Sequence, residues 1–409
     1  MAPRVTIVLP SDLASSKIGG IQTFARGFVK YAPEDFVLEH IGITTDAVGA
    51  PVGQWTDAQL GERRLRLLPL VAAQAGQRRS RVPVALAFTR ELARRRRSLS
   101  RTPRVLQFHR PGTTLPFLGS RWATVQVIHL TSGQLTSGRS ESRWRRLGPA
   151  LGALERFTLP RVDRIVAVNE EAAEEYRRRF PALADRIEFL ANWFDDEVFG
   201  PASPDERAAL RERMADELGL GTDGPLLLWA ARFDTQKQPL LAIEAFRRLG
   251  QPGAGLVMAG DGELRVQAER AVAEAGIADR VRFAGTQRQD QLASLMQAAD
   301  LFLLSSAHET GPTIALEALA SGLPLASTPV GRVPRLLAEG GGELAAQHDA
   351  SALAASIDRL LAAPAEQRRQ EAVRAVDPYR ARAVLAPFYE AHRELFAGLD
   401  ATRDDGDRD

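Results

Sequence analysis

Short apolar, β-type runs alternate along this chain with longer segments in which apolar residues recur every three or four positions. The runs begin at Val5, Phe36, Val105, Thr124, Arg164, Arg186, Leu226, Gly255, Arg280, Leu301 and Leu323. Strands that alternate this often with amphipathic helices predict βαβ units, which build parallel sheets. The run at Leu301 is apolar throughout, which is typical of a strand covered on both faces. The predicted fold class is therefore α/β with doubly wound parallel sheets.

The alternation breaks at about residues 196–224, where Pro, Gly and acidic residues replace the strands. We predict a domain boundary there, with residues 1–198 forming one Rossmann-like domain and residues 199–377 a second. A helix is predicted over about 205–218, another over about 378–398, and a disordered tail over 399–409. Two such domains are expected to leave a cleft at the carboxyl ends of their strands, where doubly wound sheets bind ligands.

Several classes of protein are disfavoured by what the sequence lacks. Cysteine is absent, which excludes disulfides and thiolate chemistry. No apolar run approaches the ~20 residues that span a bilayer, and the N-terminus lacks the apolar core of a signal peptide. The complete G-x-G-x-x-G and Walker patterns are missing, which argues against dehydrogenases and NTPases. We expect a cytoplasmic protein.

The charge is distributed unevenly. Residues 1–195 carry 30 Lys and Arg against 18 Asp and Glu, whereas the remainder carries 23 against 33. This asymmetry indicates an anionic partner, which could be nucleic acid, acidic lipid or a phosphorylated substrate. In the Arg-rich part, Phe88 and Leu92 lie four residues apart, as in a basic amphipathic helix that binds lipid headgroups. The alternative is an ordinary solvated face, and no nucleic-acid-binding motif accompanies the charge.

The most informative segment runs from the strand at Leu301 into a polar loop and a helix. The helix is predicted to open at Pro312 with Thr310 as its cap. Its N-terminus would offer free N–H groups and a positive dipole end to a phosphate. Glu309 in the loop and Glu317 in the helix could accept hydrogen bonds from sugar hydroxyls. The alternative is a solvated loop acid and an exposed helix residue.

Two cations follow the strand at Leu226. Arg232 and Lys237 lie five positions apart, and a guanidinium with a mobile ammonium suits a diphosphate. Ordinary surface charge is the alternative. It is weakened because this loop and the Glu309 loop both follow strands of one predicted sheet and should open on the same edge.

The first domain offers weaker signals. Gly19 and Gly20 precede a predicted helix, and paired glycines allow close approach of a phosphate, although such a pair is more often only a turn. His109 and His129 each follow a strand, which favours positions facing the cleft.

Together these segments resemble glycosyltransferase family 4, the large retaining GT-B family. The resemblance covers nearly the whole chain. Its most specific part is ARFDTQKQP from Ala231 with HETGPTIALEALASGLPLAST from His308. Other matching elements are the Gly-Gly loop, the segments at His109 and His129, RVDRIVAVNE from Arg161, ANWFDDEVF from Ala191 and VMAGDGELR from Val257.

The resemblance implies a role for each matching residue. Arg232 and Lys237 would bind the donor diphosphate, Glu317 the ribose, and Glu309 the transferred sugar or the reacting centre. His129 would contact the sugar near its anomeric carbon, and Gly20 would approach the phosphate or the acceptor. Further substrate contacts are implied for Gly19, His109, Asn192, Gly260, Gly311, Pro312, Thr313 and Ile314. The final helix would return to the N-terminal domain, and neither a metal nor another cofactor is implied.

Three positions depart from the family pattern. Pro312 stands where a glycine is usual, so one backbone donor to phosphate is lost and Thr313 or Ile314 must replace it. Trp193 follows Asn192 in place of a glycine, and Arg335 replaces a common glutamate. Donor preference could shift accordingly.

With this resemblance, we expect a retaining, metal-independent hexosyltransferase that uses a UDP- or GDP-sugar. Its acceptor could be lipid-linked and met at an anionic inner membrane surface by the basic half, as in polysaccharide assembly. A GT-B sugar-nucleotide epimerase and a soluble small-molecule glycosyltransferase are alternatives among enzymes. A basic protein that binds lipid or nucleic acid is the non-enzyme alternative.

Overall fold

The computed structural model describes residues 1–14, 20–73, 84–96, 99, 102, 104–129, 148–221, 224–251, 253–309 and 311–404. The chain forms two compact units. The first unit contains Met1–Ala191 and the segment from Arg382 onward, and the second contains Asn192–Ala381. Each unit has its own mainly parallel sheet with helices, so the predicted α/β class with two doubly wound sheets is confirmed.

The first sheet has eight strands in the order β3-β4-β2-β1-β5-β6-β7-β8, and only the β3–β4 pairing is antiparallel. The second sheet is parallel throughout, in the order β11-β10-β9-β12-β13-β14. The strands are β1 Arg4–Val8, β2 Val37–Thr44, β3 Thr56–Leu60, β4 Arg63–Ala72, β5 Val105–Phe108, β6 Ala123–Ile128, β7 Arg164–Ala167, β8 Ile187–Phe189, β9 Leu226–Ala230, β10 Gly255–Ala259, β11 Val281–Gly285, β12 Leu301–Leu304, β13 Leu325–Ser327 and β14 Gly342–Leu344.

Helices connect most of these strands. They are α1 Gly20–Tyr31, α2 Val84–Arg95, α3 Pro111–Thr114, α4 Gly148–Thr158, α5 Glu170–Arg179, α6 Pro204–Leu218, α7 Pro239–Arg247, α8 Arg265–Glu274, α9 Gln289–Ala298, α10 Thr313–Ala320, α11 Val333–Leu336, α12 Ala350–Ala362, α13 Ala365–Val376 and α14 Ala381–Asp404. Short 3-10 helices occupy Leu115–Phe117, Leu159–Arg161, Pro181–Arg186, Leu337–Glu339 and Asp377–Tyr379.

The second sheet is buried on both faces. Along β9, Leu226 and Leu228 pack into one apolar cluster, whereas Leu227 and Trp229 pack into another. Successive side chains of a strand point to opposite faces, so each cluster lies on its own side of the sheet. Burial on both faces explains why these strands read as continuous apolar runs rather than alternating ones.

The unit boundary falls before the predicted one at 198/199. The segment after Ala191 already belongs to the second unit because Phe194 and Phe199 lie in its core. The Phe194 N–H donates to the carbonyl of Tyr379 at 3.2 Å, which ties this segment to the end of the same unit. The segment that reads as a linker in sequence is thus packed structure.

The first unit contains a hairpin, β3–β4, that the sequence analysis missed. Strand β4 pairs with β2 in parallel, and its Pro69 sits where the register shifts between Gly42 and Ile43. Proline is tolerated in a sheet at such irregularities because it cannot donate to the ladder. β14 in the second unit was likewise not predicted.

Helix α14 packs into the first unit through an aromatic cluster. Phe388 and His392 lie against Phe28 at ring-centroid distances of 5.5 Å and 5.3 Å. The hydroxyl of Tyr389 donates to the carbonyl of Phe28 at 2.7 Å. The helix continues to Asp404, so the predicted disordered tail over 399–409 is wrong for its first part, and residues 405–409 lie outside the described residues.

Helix α2 corresponds to the basic amphipathic stretch. Phe88 and Leu92 are buried in the core of the first unit. They are therefore not available as a lipid-inserting face, which weakens that interpretation of the stretch. Among the described residues, no helix combines the length and apolar character needed to cross a bilayer.

Candidate functional site

The second unit has a topological switch point between β9 and β12. These strands are adjacent and parallel, with Leu227 opposite Leu301, but the chain runs from β9 outward to β10 and β11 before it returns to β12. Loops after two such strands diverge at the carboxyl edge of the sheet and leave a crevice, where doubly wound sheets bind their ligands. The β9 loop carries Arg232 and Lys237, and the β12 loop carries Glu309.

Lys237 and Glu309 meet in this crevice. The ammonium Nζ lies 2.5 Å from Oε1 of Glu309, and the hydroxyl of Ser306 donates to the same oxygen at 2.7 Å. Glu309 is 7% exposed. Burying a carboxylate to this extent is costly unless a charge partner and hydrogen bonds compensate it. Glu309 is therefore not a solvated loop acid, and both charges are fixed in place.

The two loops are joined by further hydrogen bonds. The N–H of Ala307 donates to the carbonyl of Gln236 at 2.7 Å. The hydroxyl of Ser305 donates to the carbonyl of Lys237 at 2.8 Å, and the indole of Trp229 donates to that hydroxyl at 2.9 Å. These contacts make the ends of β9 and β12 one connected structure that positions the ion pair.

Arg232 is placed differently from Lys237. Its side chain is 71% exposed, and its Nε lies 3.2 Å from Oδ2 of Asp234. Oδ1 of Asp234 accepts the backbone N–H of Lys237 at 2.9 Å. Asp234 thus organises the loop while the guanidinium reaches toward solvent.

Gly260 supports the same loop from the neighbouring strand. It has φ +124°, and a Cβ added there would lie 2.0 Å from the carbonyl oxygen of Ala231. The carbonyl of Asp261, the residue after Gly260, accepts a hydrogen bond from the N–H of Phe233 at 3.0 Å. Because Gly260 has no side chain, Ala231 and Phe233, the neighbours of Arg232, can pack closely against the loop that follows β10.

Helix α10 begins next to the Glu309 loop. Thr313 is its first residue, and Pro312 is its N-cap rather than part of the first turn, while Thr310 lies outside the described residues. The N–H groups of a first helical turn have no intrahelical acceptor. Pro312 has no backbone N–H, so Thr313 and Ile314 carry the first free N–H groups of the helix. The amide Nδ2 of Asn192 donates to the carbonyl of Gly311 at 2.6 Å, which brings these two residues together.

Glu317 lies in the middle of α10 and is partly buried rather than exposed. Burial, together with the nearby negative charge of Asp195, raises its pKa to about 7. Its carboxyl group therefore changes charge close to neutral pH. A surface glutamate would be ionised throughout that range.

The first unit brings His109 and His129 together. Nδ1 of His109 lies 2.9 Å from Nε2 of His129, and the rings stack at a centroid distance of 5.3 Å. Phe24 of α1 meets both rings edge-on. Burial lowers the pKa of His129 to about 4, aided by Arg110, and burial with the neighbouring His129 lowers the pKa of His109 well below its usual value.

Both imidazoles are therefore neutral at physiological pH and can share one proton between their facing nitrogens. Gly20 is the first residue of α1, the helix that carries Phe24. Gly19 lies outside the described residues. The structure thus connects the helix that follows the glycine pair to the histidine pair.

Comparison with known families identifies the chain. A model described as Glycosyltransferase Family 4 matches residues 18–198, and one described as Glycosyl transferases group 1 matches residues 211–375. The chain belongs to glycosyltransferase family 4. The resemblance drawn from the sequence motifs is thereby confirmed.

Individual relatives agree with this family. D-inositol 3-phosphate glycosyltransferase of Mycolicibacterium smegmatis is 31% identical over 52% of this chain, and the match spans 49% of that relative's length. Sucrose-phosphate synthase from Thermosynechococcus elongatus superposes with a TM-score of 0.74 at 21% identity, covering 97% of this chain and 100% of that one. HepE from Anabaena, solved in complex with UDP and glucose, superposes with a TM-score of 0.69 at 14% identity, covering 96% and 100%. The two structures show that the fold is of the GT-B class.

Three residues of this family 4 member escaped the sequence analysis although they contact the predicted residues or act on them electrostatically. Ser306 has a local signal, since it lies three residues before Glu309 in a loop. Asp195 and Phe24 have none, because each reaches its partner through tertiary packing from a distant segment.

Proposed function

We propose that this chain transfers a sugar from a nucleoside-diphosphate sugar to a hydroxyl acceptor with retention of configuration. The observation that carries the proposal is the Lys237–Glu309 pair at the switch point of the second sheet, beside the N-terminus of α10. A cation for phosphate, an acid for sugar hydroxyls and free helical N–H groups then lie within one crevice.

In this proposal the second unit binds the donor. Lys237 and the N–H groups of Thr313 and Ile314 contact the diphosphate, and exposed Arg232 adds a mobile cation. Glu309, held within 2.5 Å of Lys237, is adjacent to the diphosphate and accepts hydrogen bonds from the transferred sugar. Glu317 accepts hydrogen bonds from the ribose.

Catalysis follows from where charge develops. As the glycosidic bond to the diphosphate breaks, negative charge grows on the leaving phosphate, and a fixed ammonium with a helix terminus stabilises it. The acceptor hydroxyl then attacks from the face that the diphosphate leaves and gives its proton to the departing phosphate oxygen, so the anomeric configuration is retained. Because these groups supply the electrostatic stabilisation, we propose that no divalent metal is needed. Activity should then persist in excess EDTA.

We assign His129 a contact with the sugar near its anomeric carbon. A neutral imidazole there can donate or accept a hydrogen bond without adding a positive charge. His109 orients it through the 2.9 Å contact between their ring nitrogens. We place Gly20 beside the phosphate or the acceptor.

The donor can be identified by a thermal-shift screen of UDP, GDP and ADP and of their sugars. HepE, a solved relative in fold, binds UDP, and UDP is therefore the first candidate with GDP as the second. Selective stabilisation by one nucleotide in the parent, and its loss in Lys237→Ala, would support the site. No shift with any of the nucleotides would contradict it.

The acceptor could be a lipid-linked sugar or a small soluble polyol. The second class is favoured by the relative named for D-inositol 3-phosphate, and the first by the basic N-terminal half. Product analysis with the identified donor distinguishes them. A product only with added lipid acceptor supports the first class, and a product with a cyclitol or cyclitol phosphate supports the second. An altered nucleotide sugar formed without any acceptor would indicate an epimerase instead.

Membrane association has a separate test. We propose that the basic first unit contacts anionic headgroups if the acceptor is lipid-linked. Sedimentation with phosphatidylglycerol vesicles should then be strong at low ionic strength and weaken with salt. Absence of binding at low salt would remove the membrane proposal but leave the donor site intact.

A further inference from the structure

The second unit also contains a cavity of about 480 Å³ at the amino edge of its sheet. Pro225, just before β9, and Asp300, just before β12, both line it. Lys237 and Glu309 follow the carboxyl ends of the same two strands. The cavity is therefore separated from the proposed donor site by the length of the strands, and no role proposed above involves it.

Three arginines are the basic residues of the cavity lining. Arg207 and Arg211 lie one helical turn apart on α6, and Arg368 comes from α13. Asp300 is the acid among them. Three guanidinium groups thus surround one carboxylate, and the described lining carries net positive charge.

Asp300 is already fully engaged. Its Oδ2 lies 2.6 Å from Nη1 of Arg211 and accepts the N–H of Leu226 at 2.9 Å. Its Oδ1 is bound by Nη2 of Arg207. One carboxylate therefore serves two arginines and the start of β9, and it has little capacity left for a third cation.

Arg368 has donors that Asp300 does not satisfy. It is 7% exposed, and its Nε and Nη1 have no hydrogen-bond partner within the part of the chain that the structure describes. The Nε of Arg207 is in the same condition. Burial lowers the pKa of Arg368 from its usual value, with Asp300 opposing this effect and Arg207 adding to it. Buried charged donors without partners are costly, and an anion in the cavity would satisfy them.

We propose that this cavity binds the phosphate group of a small phosphorylated metabolite. The guanidinium fork matches phosphate oxygens, and Arg207 and Arg368 provide donors from two different helices. The volume exceeds that of a phosphate group, and apolar Ala208 and Leu361 in the wall offer room for an organic part. This is a second anion site, distinct from the proposed donor site.

Isothermal titration calorimetry on the full chain tests this site, with glucose 6-phosphate, inorganic phosphate and glucose as probes. All titrations use the Lys237→Ala background, so that phosphate binding at the donor site is suppressed. We expect glucose 6-phosphate to bind, inorganic phosphate to bind more weakly, and glucose not to bind. Arg368→Gln and Arg207→Gln, added singly, should each weaken binding by at least tenfold.

Matched controls are available on the same helices. Arg374 lies on α13 and Arg213 on α6, and both are exposed and outside the cavity. Arg374→Gln and Arg213→Gln should leave the affinity unchanged. Two results would overturn the proposal: no heat of binding with either phosphate probe, or equal weakening by the control substitutions. Circular dichroism of each variant verifies that the fold is retained, and Arg207→Gln, at a partly exposed position, serves if Arg368→Gln does not fold.

Discussion

At the residue scale, Lys237 and Glu309 stabilise each other as an ion pair. A carboxylate that is 7% exposed would be strongly disfavoured without the ammonium 2.5 Å away, and removing one partner of a buried pair typically costs about 3–5 kcal/mol. The pair holds an ammonium group and a carboxyl group side by side. Such an arrangement suits a ligand that places a phosphate next to a sugar.

We predict that Lys237→Ala lowers kcat/KM for the donor by about 10²–10³-fold, because a fixed cation at the leaving phosphate is lost. The change should also destabilise the protein by leaving Glu309 unpaired. Glu309→Gln added to it should recover part of the stability but none of the activity. Steady-state kinetics and chemical denaturation measure the two effects. Arg270→Ala, which removes an exposed cation of the same unit, should change neither quantity.

Glu317 gives a pH dependence whose sign follows from its raised pKa of about 7. The ionised carboxylate is the better acceptor for ribose hydroxyls, so KM for the donor should fall as pH rises from 6 to 8. Glu317→Gln should bind the donor about tenfold more weakly, with no such pH dependence. An unchanged KM in the variant would contradict the ribose assignment.

The same group affects stability in the opposite direction. The folded pKa lies above the unfolded one, so the folded state holds a proton that the unfolded state has lost between about pH 4.5 and 7. Stability therefore falls as pH rises through this window, by at most on the order of 3 kcal/mol. Denaturation of Glu317→Gln should lack this part of the decline and show greater stability than the parent at pH 8.

Sequence alone could place Lys237 and Glu309 at one sheet edge, because both follow strands that the apolar pattern identifies. It could not show that Glu309 is buried or that Glu317 titrates near neutrality. Both properties arise only on folding, and the pKa of Glu317 in particular is raised by Asp195 from the start of the second unit. Burial of a polar side chain is a tertiary property that a local pattern does not contain.

At the element scale, the loops after β9 and β10 pack so closely that glycine is required between them. Gly260 has φ +124°, a conformation that costs a residue with a side chain about 1–3 kcal/mol. An added Cβ would also lie 2.0 Å from the carbonyl oxygen of Ala231. The position of Arg232 therefore depends on a glycine in the neighbouring loop.

We predict that Gly260→Ala lowers the free energy of unfolding by about 1–3 kcal/mol from backbone strain. It should also weaken donor binding, because the Arg232 loop is displaced. Gly250→Ala is the matched control, because a Cβ there meets no atom within 4 Å. Denaturation curves and nucleotide titrations of the two variants provide the comparison. Equal behaviour of the two variants would show that the close approach of the loops has no consequence.

The elements that sequence analysis missed are those whose pattern is dominated by other signals. β3 and β4 are partly polar and lie next to the Arg-rich stretch, so their alternation is masked by charge, and Pro69 interrupts β4. β14 is only three residues long. The continuous apolar strands were predicted because a parallel sheet covered on both faces demands them.

At the scale of the whole molecule, each unit has its own sheet and its own apolar clusters, and α14 completes the first unit. A ligand bound by residues of one unit should therefore stabilise that unit, and a core substitution in the other should weaken only its own unit. Hydrogen exchange resolved by peptide reports the opening free energy of each region separately.

We predict that the donor nucleotide slows exchange in the peptides of β9, β12 and α10. Phe388→Ala should instead speed exchange in α1, β1 and α14, because removing this buried ring costs about 3–5 kcal/mol. Phe157→Ala is the control, since that ring is 51% exposed in the same unit. The cation and the helix terminus on which the proposal rests both lie in the second unit. If the nucleotide protected the first unit alone, the assignment of the donor to the Lys237–Glu309 crevice would therefore be wrong, even for an active enzyme.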